Sequence, residues 1–144
     1  MDKLIKEQFV KISQEGFKNS GKIKNATCVI ESGAEGTCVG GRDYLFLYLK
    51  IENNKIIDIR YECNYCDPAM FVAAECLCNL ARGLKVDECC KINNKTFSNY
   101  LGDYSEMATE HFSRALKLLL GGIKKGMNDS HKQVENNKNQ MLIT

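Results

Sequence analysis

The spacing of hydrophobic residues changes along the chain, and each spacing predicts a different element. Ile5, Phe9 and Ile12 recur at helical intervals between charged residues, which predicts an amphipathic helix over residues 2–14 with Asp2 as its cap. From residue 44 the hydrophobic period becomes two, which predicts a half-buried strand. The inward positions of this strand are Leu45, Leu47, Leu49 and Ile51.

A turn and a second alternating stretch complete a predicted antiparallel hairpin. Asn53 and Asn54 tolerate the left-handed backbone conformation that a tight turn requires. The inward positions of the return strand are Ile57, Ile59 and Tyr61. A further short strand is expected at residues 25–31.

Helices are predicted after the hairpin. Asp67 has the position of an N-cap and Pro68 that of the first residue of an apolar helix, which ends at Gly83. Short helical segments are expected near residues 86–92 and 97–101.

The last predicted helix begins near Ser105 and ends at the Gly121-Gly122 pair. Its apolar face is assigned to Met107, Ala108, Phe112, Ala115, Leu116 and Leu119. Residues 127–144 are rich in Asn, Lys and Gln and have no hydrophobic period, so we expect a tail without regular structure. The pattern therefore predicts an α+β fold, with a small antiparallel sheet of about three strands packed against helices, in one domain of residues 1–126.

Composition and charge narrow the class of protein. The chain has 144 residues, 44% of them hydrophobic, and its 20 Lys and Arg against 18 Asp and Glu leave a net charge of +2. These values are typical of a soluble globular domain and lack the strong positive charge of a nucleic-acid or membrane-surface binder. No apolar stretch is long enough to span a bilayer, and charges interrupt the N-terminus where a secretion signal would need an apolar run. We therefore expect a cytoplasmic protein.

The chain has eight cysteines, and their thiols are its most reactive side chains. In a reducing cytosol they favour metal binding, sulfur chemistry or simple packing over disulfides. Cys66 is the strongest candidate, because the start of a helix favours the thiolate form. Cys63 completes a Cys-x2-Cys pair with it, which favours a metal-clamping role, whereas the alternation of Cys63 with Ile59 and Tyr61 equally predicts an inward packing role.

A second candidate region is the glycine-rich segment of residues 32–43. Cys38 lies in its middle, where packing in a core is not expected, and Asp43 adds a carboxylate at its end. His111 and His131 are expected to be solvated. The other cysteines are interpreted as small hydrophobic residues, namely Cys28, Cys76, Cys78, Cys89 and Cys90. The chain has no Ser/His/Asp set, paired-carboxylate motif or nucleotide-binding glycine fingerprint, so we do not expect an enzyme.

Four stretches of the chain follow the motif order of a known family. They are Gly21-Lys22-Ile23-Lys24-Asn25-Ala26, the strand that begins at Asp43, Ile56-Ile57-Asp58-Ile59-Arg60-Tyr61, and Tyr65-Cys66 with the apolar helix up to Gly83. Over residues 3–125 the chain thereby resembles the NifU/IscU-type scaffolds of iron–sulfur cluster assembly. The resemblance implies the NifU/IscU/SufE-like α+β fold.

The resemblance also implies site residues. Cys38 and Cys66 take the places of the family's first two cluster cysteines, and Asp43 takes that of the acidic residue beside the first. Three departures accompany the likeness. The loop from Cys38 to Asp43 is longer than the family's Cys-Gly-Asp, Tyr104 stands where the family has a third cysteine, and residues 99–102 replace the family's proline-rich segment.

A cluster or a zinc ion takes about four protein ligands. Either Cys63 or Asp103 is a candidate for the position that the third cysteine leaves open. Tyr104 is a weaker candidate, because a phenol is a poor cluster ligand beside a thiolate. The expected metal ligands are therefore Cys38, Asp43, Cys63 and Cys66.

By this resemblance the chain is a divergent scaffold that receives sulfur from a cysteine desulfurase and holds a labile cluster for client iron–sulfur apoproteins. The expected cluster is [2Fe-2S], with zinc as an alternative occupant, and pairing of two copies in a homodimer is left open. Two other functions compete with this one. The first is a SufE-like acceptor that carries persulfide sulfur on Cys38 or Cys66, and the second is a binding module that keeps the fold without the chemistry.

Overall fold

The computed structural model describes residues 2–32, 44–64 and 66–143, and it describes the backbone alone at residue 44 and residues 126–143. The helices are α1 (Lys3–Gln14), α2 (Pro68–Ala81), α3 (Asn94–Leu101) and α4 (Glu106–Ile143), with a short 3-10 helix at Val86–Lys91. The strands are β1 (Cys28–Glu31), β2 (Tyr44–Glu52) and β3 (Lys55–Asn64). The predicted α+β class is confirmed. Among these described residues, no helix combines the length and hydrophobicity that crossing a bilayer requires.

The three strands form one antiparallel sheet in the order β1-β2-β3. Asn53 and Asn54 have φ angles of 53° and 63° and form the turn between β2 and β3, as predicted. The inward side chains of β2 are fully buried at Leu45, Leu47 and Leu49. Helix α2 packs against β3 and helix α4 against β1, so the main core lies between the sheet and these two helices.

The prediction for the inward face of β3 is wrong at its first position. Ile57 is 42% exposed, whereas Ile56 is fully buried. The pairing with β2 shifts between Lys50 and Ile51, where β3 contains one residue more than its partner. Such a β-bulge reverses the alternation of side chains, so Ile56 turns inward in place of Ile57. Beyond the bulge the predicted alternation is confirmed.

Helices α1 and α2 follow the sequence pattern closely. Asp2 caps α1, because its Oδ1 accepts hydrogen bonds from the backbone N–H groups of Leu4 at 2.8 Å and Ile5 at 3.3 Å. Helix α2 begins at Pro68 and is followed by Gly83, whose φ of 90° suits the left-handed end of a helix. Most side chains of α2 are buried, since α1, α4 and β3 surround it.

Helix α4 does not end at Gly121 and Gly122, where the sequence pattern predicts its end. A glycine lowers the stability of a helix by only about 1 kcal/mol, so it does not end a helix by itself. A Cβ at Gly122 would clash with the side chain of Ile30 on β1, and this glycine therefore lets α4 lie close to the sheet. The helical backbone continues into residues 127–143, which were expected to be irregular. The domain boundary at residue 126 stays a prediction.

Two side chains of α4 lie differently from the prediction. Met107, assigned to the apolar face, is 52% exposed, and His111, expected to be solvated, is 2% exposed. The buried stripe passes through Ala108, Phe112 and Ala115. It is rotated away from Met107, and it includes His111 because that residue lies three positions after Ala108.

Candidate functional site

The predicted Cys-x2-Cys pair lies where β3 ends and α2 begins. Cys63 pairs with Leu45 across the sheet and is partly buried. A disulfide joins Cys63 to Cys66, with the two Cα atoms 5.8 Å apart. This separation is within the range that disulfides span. The bond differs from the expectation that the cysteines are reduced, and the reason is that the strand end and the helix start bring the two sulfur atoms together.

Cys66 lies immediately before the N-cap of α2. That N-cap is Asp67, and its side chain makes no capping hydrogen bond. Pro68 has no N–H and the N–H of Met70 donates to the carbonyl of Asp67 at 2.9 Å, so it is mainly the helix dipole that favours negative charge at this end. In the reduced form this position favours a thiolate at Cys66. The interpretation of Cys63 as an inward packing residue is also supported, because both cysteines pack against the core.

His111 is a residue of this region that sequence reasoning missed. Its Nδ1 lies 2.8 Å from the backbone oxygen of Met107, and because a carbonyl only accepts, Nδ1 carries the proton. Its Nε2 is buried, has no hydrogen-bond partner among the described residues, and lies 4.0 Å from Oδ2 of Asp67. The available signal was the position of His111 within the apolar stripe of α4. The structure thus adds a buried ring nitrogen beside the start of α2.

Cys38, Asp43 and Tyr65 lie outside the described residues. The two flanks of residues 33–43 are described, and they lie together. Ser32 donates its backbone N–H to Leu45 at 3.0 Å, and the N–H of Leu45 is 3.1 Å from the Ser32 hydroxyl. Leu45 in turn pairs with Cys63.

The start of α4 contains the other predicted alternatives. Asp103 is exposed and accepts the backbone N–H of Tyr104 at 2.7 Å. Tyr104 itself is 64% exposed. Ser105 is buried and donates its hydroxyl to Asp2 at 2.7 Å, which lowers the pKa of Asp2. This part of the chain joins α4 to α1.

Most of the remaining cysteines pack as small hydrophobic residues. Burial raises the pKa of Cys76 and Cys78 on α2, and raises that of Cys89 to about 11. Their thiols are therefore protonated at neutral pH, which disfavours reaction. The packing interpretation is wrong for Cys90, which is exposed on the 3-10 helix. Cys28 on β1 is partly buried, and burial raises its pKa.

A buried polar network lies near the middle of α2. Glu75 is 3% exposed and accepts hydrogen bonds from the side chain of Asn19 at 2.6 Å and from the hydroxyl of Tyr61 at 3.0 Å. Burial first, and the carboxylate of Glu75 second, raise the pKa of Tyr61. Asn19 also donates to Asn79 at 3.0 Å. These bonds attach the segment after α1 to both α2 and β3.

The network continues to the end of α2 through Arg82. Its Nη2 donates to the side chain of Asn19 at 2.7 Å and to the carbonyl of Ile59 at 2.6 Å. Its Nε lies 3.2 Å from Oδ1 of Asp58. Burial would raise the pKa of Asp58, but hydrogen bonds from Arg60 and Arg82 outweigh it and lower the pKa.

A cavity of about 350 Å³ lies beside this network, between α1, α2 and α3. Its lining includes Lys11, Glu75, Cys76 and Tyr100. No predicted site residue among those described lines it. The cavity and the cysteine pair are therefore separate features.

Within the described parts of the chain, no group of three or more His, Cys, Asp or Glu side chains is arranged to hold a metal ion. In the disulfide form neither Cys63 nor Cys66 has a thiolate to offer. Two of the four predicted ligands lie outside the described residues. The complete ligand set thus stays a prediction.

Residues 13–133 match the sequence pattern that defines the family described as the NifU-like N terminal domain. The match covers most of the chain. The chain belongs to this NifU-like N terminal domain family. The predicted resemblance to this family is therefore confirmed.

Two curated proteins named nitrogen fixation protein NifU are similar to this NifU-like chain. The protein from Trichormus azollae is 32% identical over 94 residues, and that from Nostoc sp. strain PCC 7120 is 33% identical over 94 residues. Each match covers 62% of this chain and 31% of the relative. The matched part therefore spans about a third of the length of these relatives.

Solved structures share the fold. A structure described as an iron–sulfur cluster assembly scaffold protein for the SUF system, from Fervidobacterium islandicum AW-1, has a TM-score of 0.53 at 18% identity. The alignment covers 86% of this chain and 93% of that one. The N-terminal part of a NifU-like protein from Brucella abortus has a TM-score of 0.50 at 14% identity and covers 94% of each chain. At these identities the likeness supports the fold alone.

Proposed function

We propose that this NifU-like chain receives sulfur from a cysteine desulfurase and holds a labile iron–sulfur cluster for transfer to client apoproteins. The cargo is a [2Fe-2S] cluster, and zinc is a competing occupant of the same ligands. The proposed ligands are Cys38, Asp43 and Cys66. Cys63 is proposed as the further thiolate ligand, because Tyr104 replaces the third cysteine of the family. We propose the cytoplasm as its location.

One observation carries the proposal: the described residues on either side of residues 33–43, the range that contains Cys38 and Asp43, lie beside Cys63. Ser32 bonds to Leu45, and Leu45 pairs with Cys63. Asp43 directly precedes Tyr44, whose backbone pairs with Asn64. Chain connectivity therefore supports a site that draws ligands from both regions.

The chemistry of these side chains fits the cargo. Thiolates are the ligands that iron–sulfur clusters use most, and a carboxylate oxygen also binds iron or zinc. The disulfide must first be reduced, because only the thiolates bind metal. Cys66 is partly exposed at the head of α2, so a partner protein can reach it, which sulfur delivery and cluster release both require.

The test is anaerobic reconstitution of the reduced chain with ferrous iron, cysteine, a cysteine desulfurase and excess dithiothreitol, which supplies the electrons that reduce persulfide sulfur to sulfide. Iron, zinc and acid-labile sulfide are quantified together with the visible absorption spectrum. We expect iron and sulfide in the wild type and their loss in Cys38→Ser and Cys66→Ser. Cys90→Ser is the matched control, since Cys90 is an exposed thiol outside the proposed site. A wild type that stays colourless and metal-free would contradict the proposal.

The fourth ligand is tested separately. If Cys63 binds the cluster, Cys63→Ser loses iron as Cys66→Ser does. Unchanged metal content in Cys63→Ser would remove Cys63 from the ligand set, and Asp103→Asn would then test the exposed carboxylate at the start of α4.

A second candidate is a persulfide sulfur acceptor. It is favoured by the position of Cys66, which is partly exposed at the start of α2. A carrier needs one accessible thiol and no complete ligand set. In the same experiment it would take up sulfur on Cys38 or Cys66 without retaining iron, whereas a binding module without this chemistry would take up neither.

A further inference from the structure

We infer that Cys63 is a resolving thiol that converts persulfide sulfur on Cys66 into free sulfide. The inference rests on the proposed function, because it begins with sulfur that Cys66 has received. The sulfur in an iron–sulfur cluster is sulfide, whereas the outer sulfur of a persulfide is more oxidised. A scaffold that accepts persulfide sulfur therefore needs two electrons for each sulfur atom before the cluster can form.

The Cys63–Cys66 disulfide shows that the two sulfur atoms reach each other. Their Cα atoms are 5.8 Å apart, a separation that places the Sγ atoms within bonding reach without rearrangement of the strand end or the helix start. Cys63 is held by the pairing of β3 with β2 opposite Leu45. The nucleophile thus has a fixed position beside its target.

The proposed step balances without an outside reductant. The thiolate of Cys63 attacks Sγ of the Cys66 persulfide, and a bond forms between the two Sγ atoms. The bond from Cys66 Sγ to the outer sulfur breaks, and its electron pair leaves with that sulfur as HS⁻, which keeps the persulfide proton. The two cysteine sulfurs are oxidised to a disulfide while the outer sulfur is reduced to sulfide.

The disulfide in the structure is the state that this step leaves behind. One turnover uses only the electrons of the cysteine pair. A second turnover requires reduction of the disulfide by an external dithiol, through ordinary thiol–disulfide exchange. In each cycle the pair returns to two thiols, so Cys63 acts in sulfide release first and is available to the cluster only after reduction.

The other described thiols are less suited to the attack. Cys28 pairs with Leu49, four residues along β2 from Leu45, which is about 13 Å along the strand. The remaining thiols on α2 are buried, and burial raises their pKa. Cys90 is exposed but lies on the 3-10 helix. Cys63 is therefore the described thiol placed to resolve a persulfide on Cys66.

The test follows the fate of the outer sulfur on the whole chain. Reduced protein is mixed anaerobically with one equivalent of inorganic polysulfide and quenched with an alkylating reagent at timed intervals. Intact mass and peptide mapping then distinguish a Cys66 persulfide, which carries one additional sulfur atom, from a Cys63–Cys66 disulfide. Released sulfide is measured in parallel.

We expect the wild type to end as the disulfide and to release sulfide at a rate independent of protein concentration. In Cys63→Ser the persulfide on Cys66 should persist roughly tenfold longer or more, because the intramolecular thiol is lost. Cys28→Ser, a partly buried strand cysteine like Cys63, should behave as the wild type. Circular dichroism checks the fold, and Cys63→Ala serves as a second variant if Cys63→Ser does not fold.

A Cys66 persulfide that decays equally fast in the wild type and in Cys63→Ser would overturn the inference, as would the absence of sulfur from Cys66 in every variant. Either result leaves the scaffold proposal to the iron and sulfide measurements above. Conversely, a wild type that resolves the persulfide but retains no iron would support the inference and contradict the scaffold.

Discussion

Helix α2 connects two polar regions that differ in how their polar atoms are satisfied. Toward its C-terminal half, the carboxylate of Glu75 is buried and accepts bonds from Asn19 and Tyr61. At its N-terminal end, the N-cap side chain of Asp67 makes no capping bond, and Nε2 of His111 has no hydrogen-bond partner among the described residues.

This difference indicates that the Glu75 network stabilises the fold, whereas the N-terminal end of α2 provides reactive groups. A buried polar network in which the groups bond one another holds its elements in one arrangement, and removing any member leaves other groups unpaired. A thiol pair with few hydrogen bonds keeps its sulfur atoms available for exchange, metal binding or attack. The same helix therefore anchors the fold with one region and presents reactive groups with the other.

The largest expected contrast is in thiol reactivity along α2. After reduction, iodoacetamide should alkylate Cys66 roughly a thousandfold faster than Cys78, because Cys78 is fully buried and its exposure requires unfolding. Peptide mapping after timed quenching measures both rates, and exposed Cys90 provides an internal reference. Comparable rates at Cys66 and Cys78 would break the distinction between the two regions.

The next effect concerns the polar network. Glu75→Ala should lower the free energy of unfolding by about 2–4 kcal/mol, because it leaves the buried donors of Asn19 and Tyr61 without their acceptor. Urea unfolding followed by circular dichroism measures the loss. Glu7→Ala is the control: Glu7 is exposed on α1, and its 3.9 Å contact with Lys3 should contribute less than about 0.5 kcal/mol. A similarly small effect at Glu75 would mean that the network does not stabilise the fold.

A smaller effect is expected at the edge of the network in acid. Because folding lowers the pKa of Asp58, its charged form stabilises the fold at pH values above its usual pKa of 3.8. This contribution disappears as the pH falls below that value. Asp58→Asn should therefore be less stable than the wild type at about pH 6 and lose less stability between about pH 5 and pH 3. Urea unfolding across this interval measures both, with the exposed Asp87→Asn as the control. Parallel acid profiles for Asp58→Asn and the wild type would contradict the assignment.

The smallest effect is expected at the N-terminal region of α2. His111→Leu should change the free energy of unfolding by less than about 1 kcal/mol, because the variant removes an unpaired buried nitrogen and keeps a buried apolar volume. Thermal or urea unfolding measures it, and Phe112→Ala on the same helix should cost about 3–5 kcal/mol for comparison. A loss above about 2 kcal/mol in His111→Leu would show that Nε2 contributes through its proximity to Asp67.

Local patterns in the sequence predicted most of the elements. The period of two identified β2, the Asn53-Asn54 pair identified the turn, and Asp67 with Pro68 identified the start of α2. These signals succeed because each depends on the chemistry of a few neighbouring residues. Family membership likewise followed from motif order, and the match over residues 13–133 confirms it.

Tertiary packing decided the features that local patterns could not. The β-bulge that exposes Ile57 depends on pairing with β2, and the passage of α4 through Gly122 depends on the side chain of Ile30. The predicted ligand positions Cys38 and Asp43 stay predictions, because they lie outside the described residues.

By itself, the sequence determined the order of elements, the α+β class and the Cys-x2-Cys spacing at the head of α2, since periodicity, turn residues and helix caps act over short distances. Only the tertiary structure decided that Cys63 bonds to Cys66, that His111 is buried beside Asp67 and that Glu75 lies within a polar network. Each of these depends on side chains that the fold brings together from different elements or across an element boundary. The separation of α2 into an anchoring region and a reactive region is therefore a property of packing.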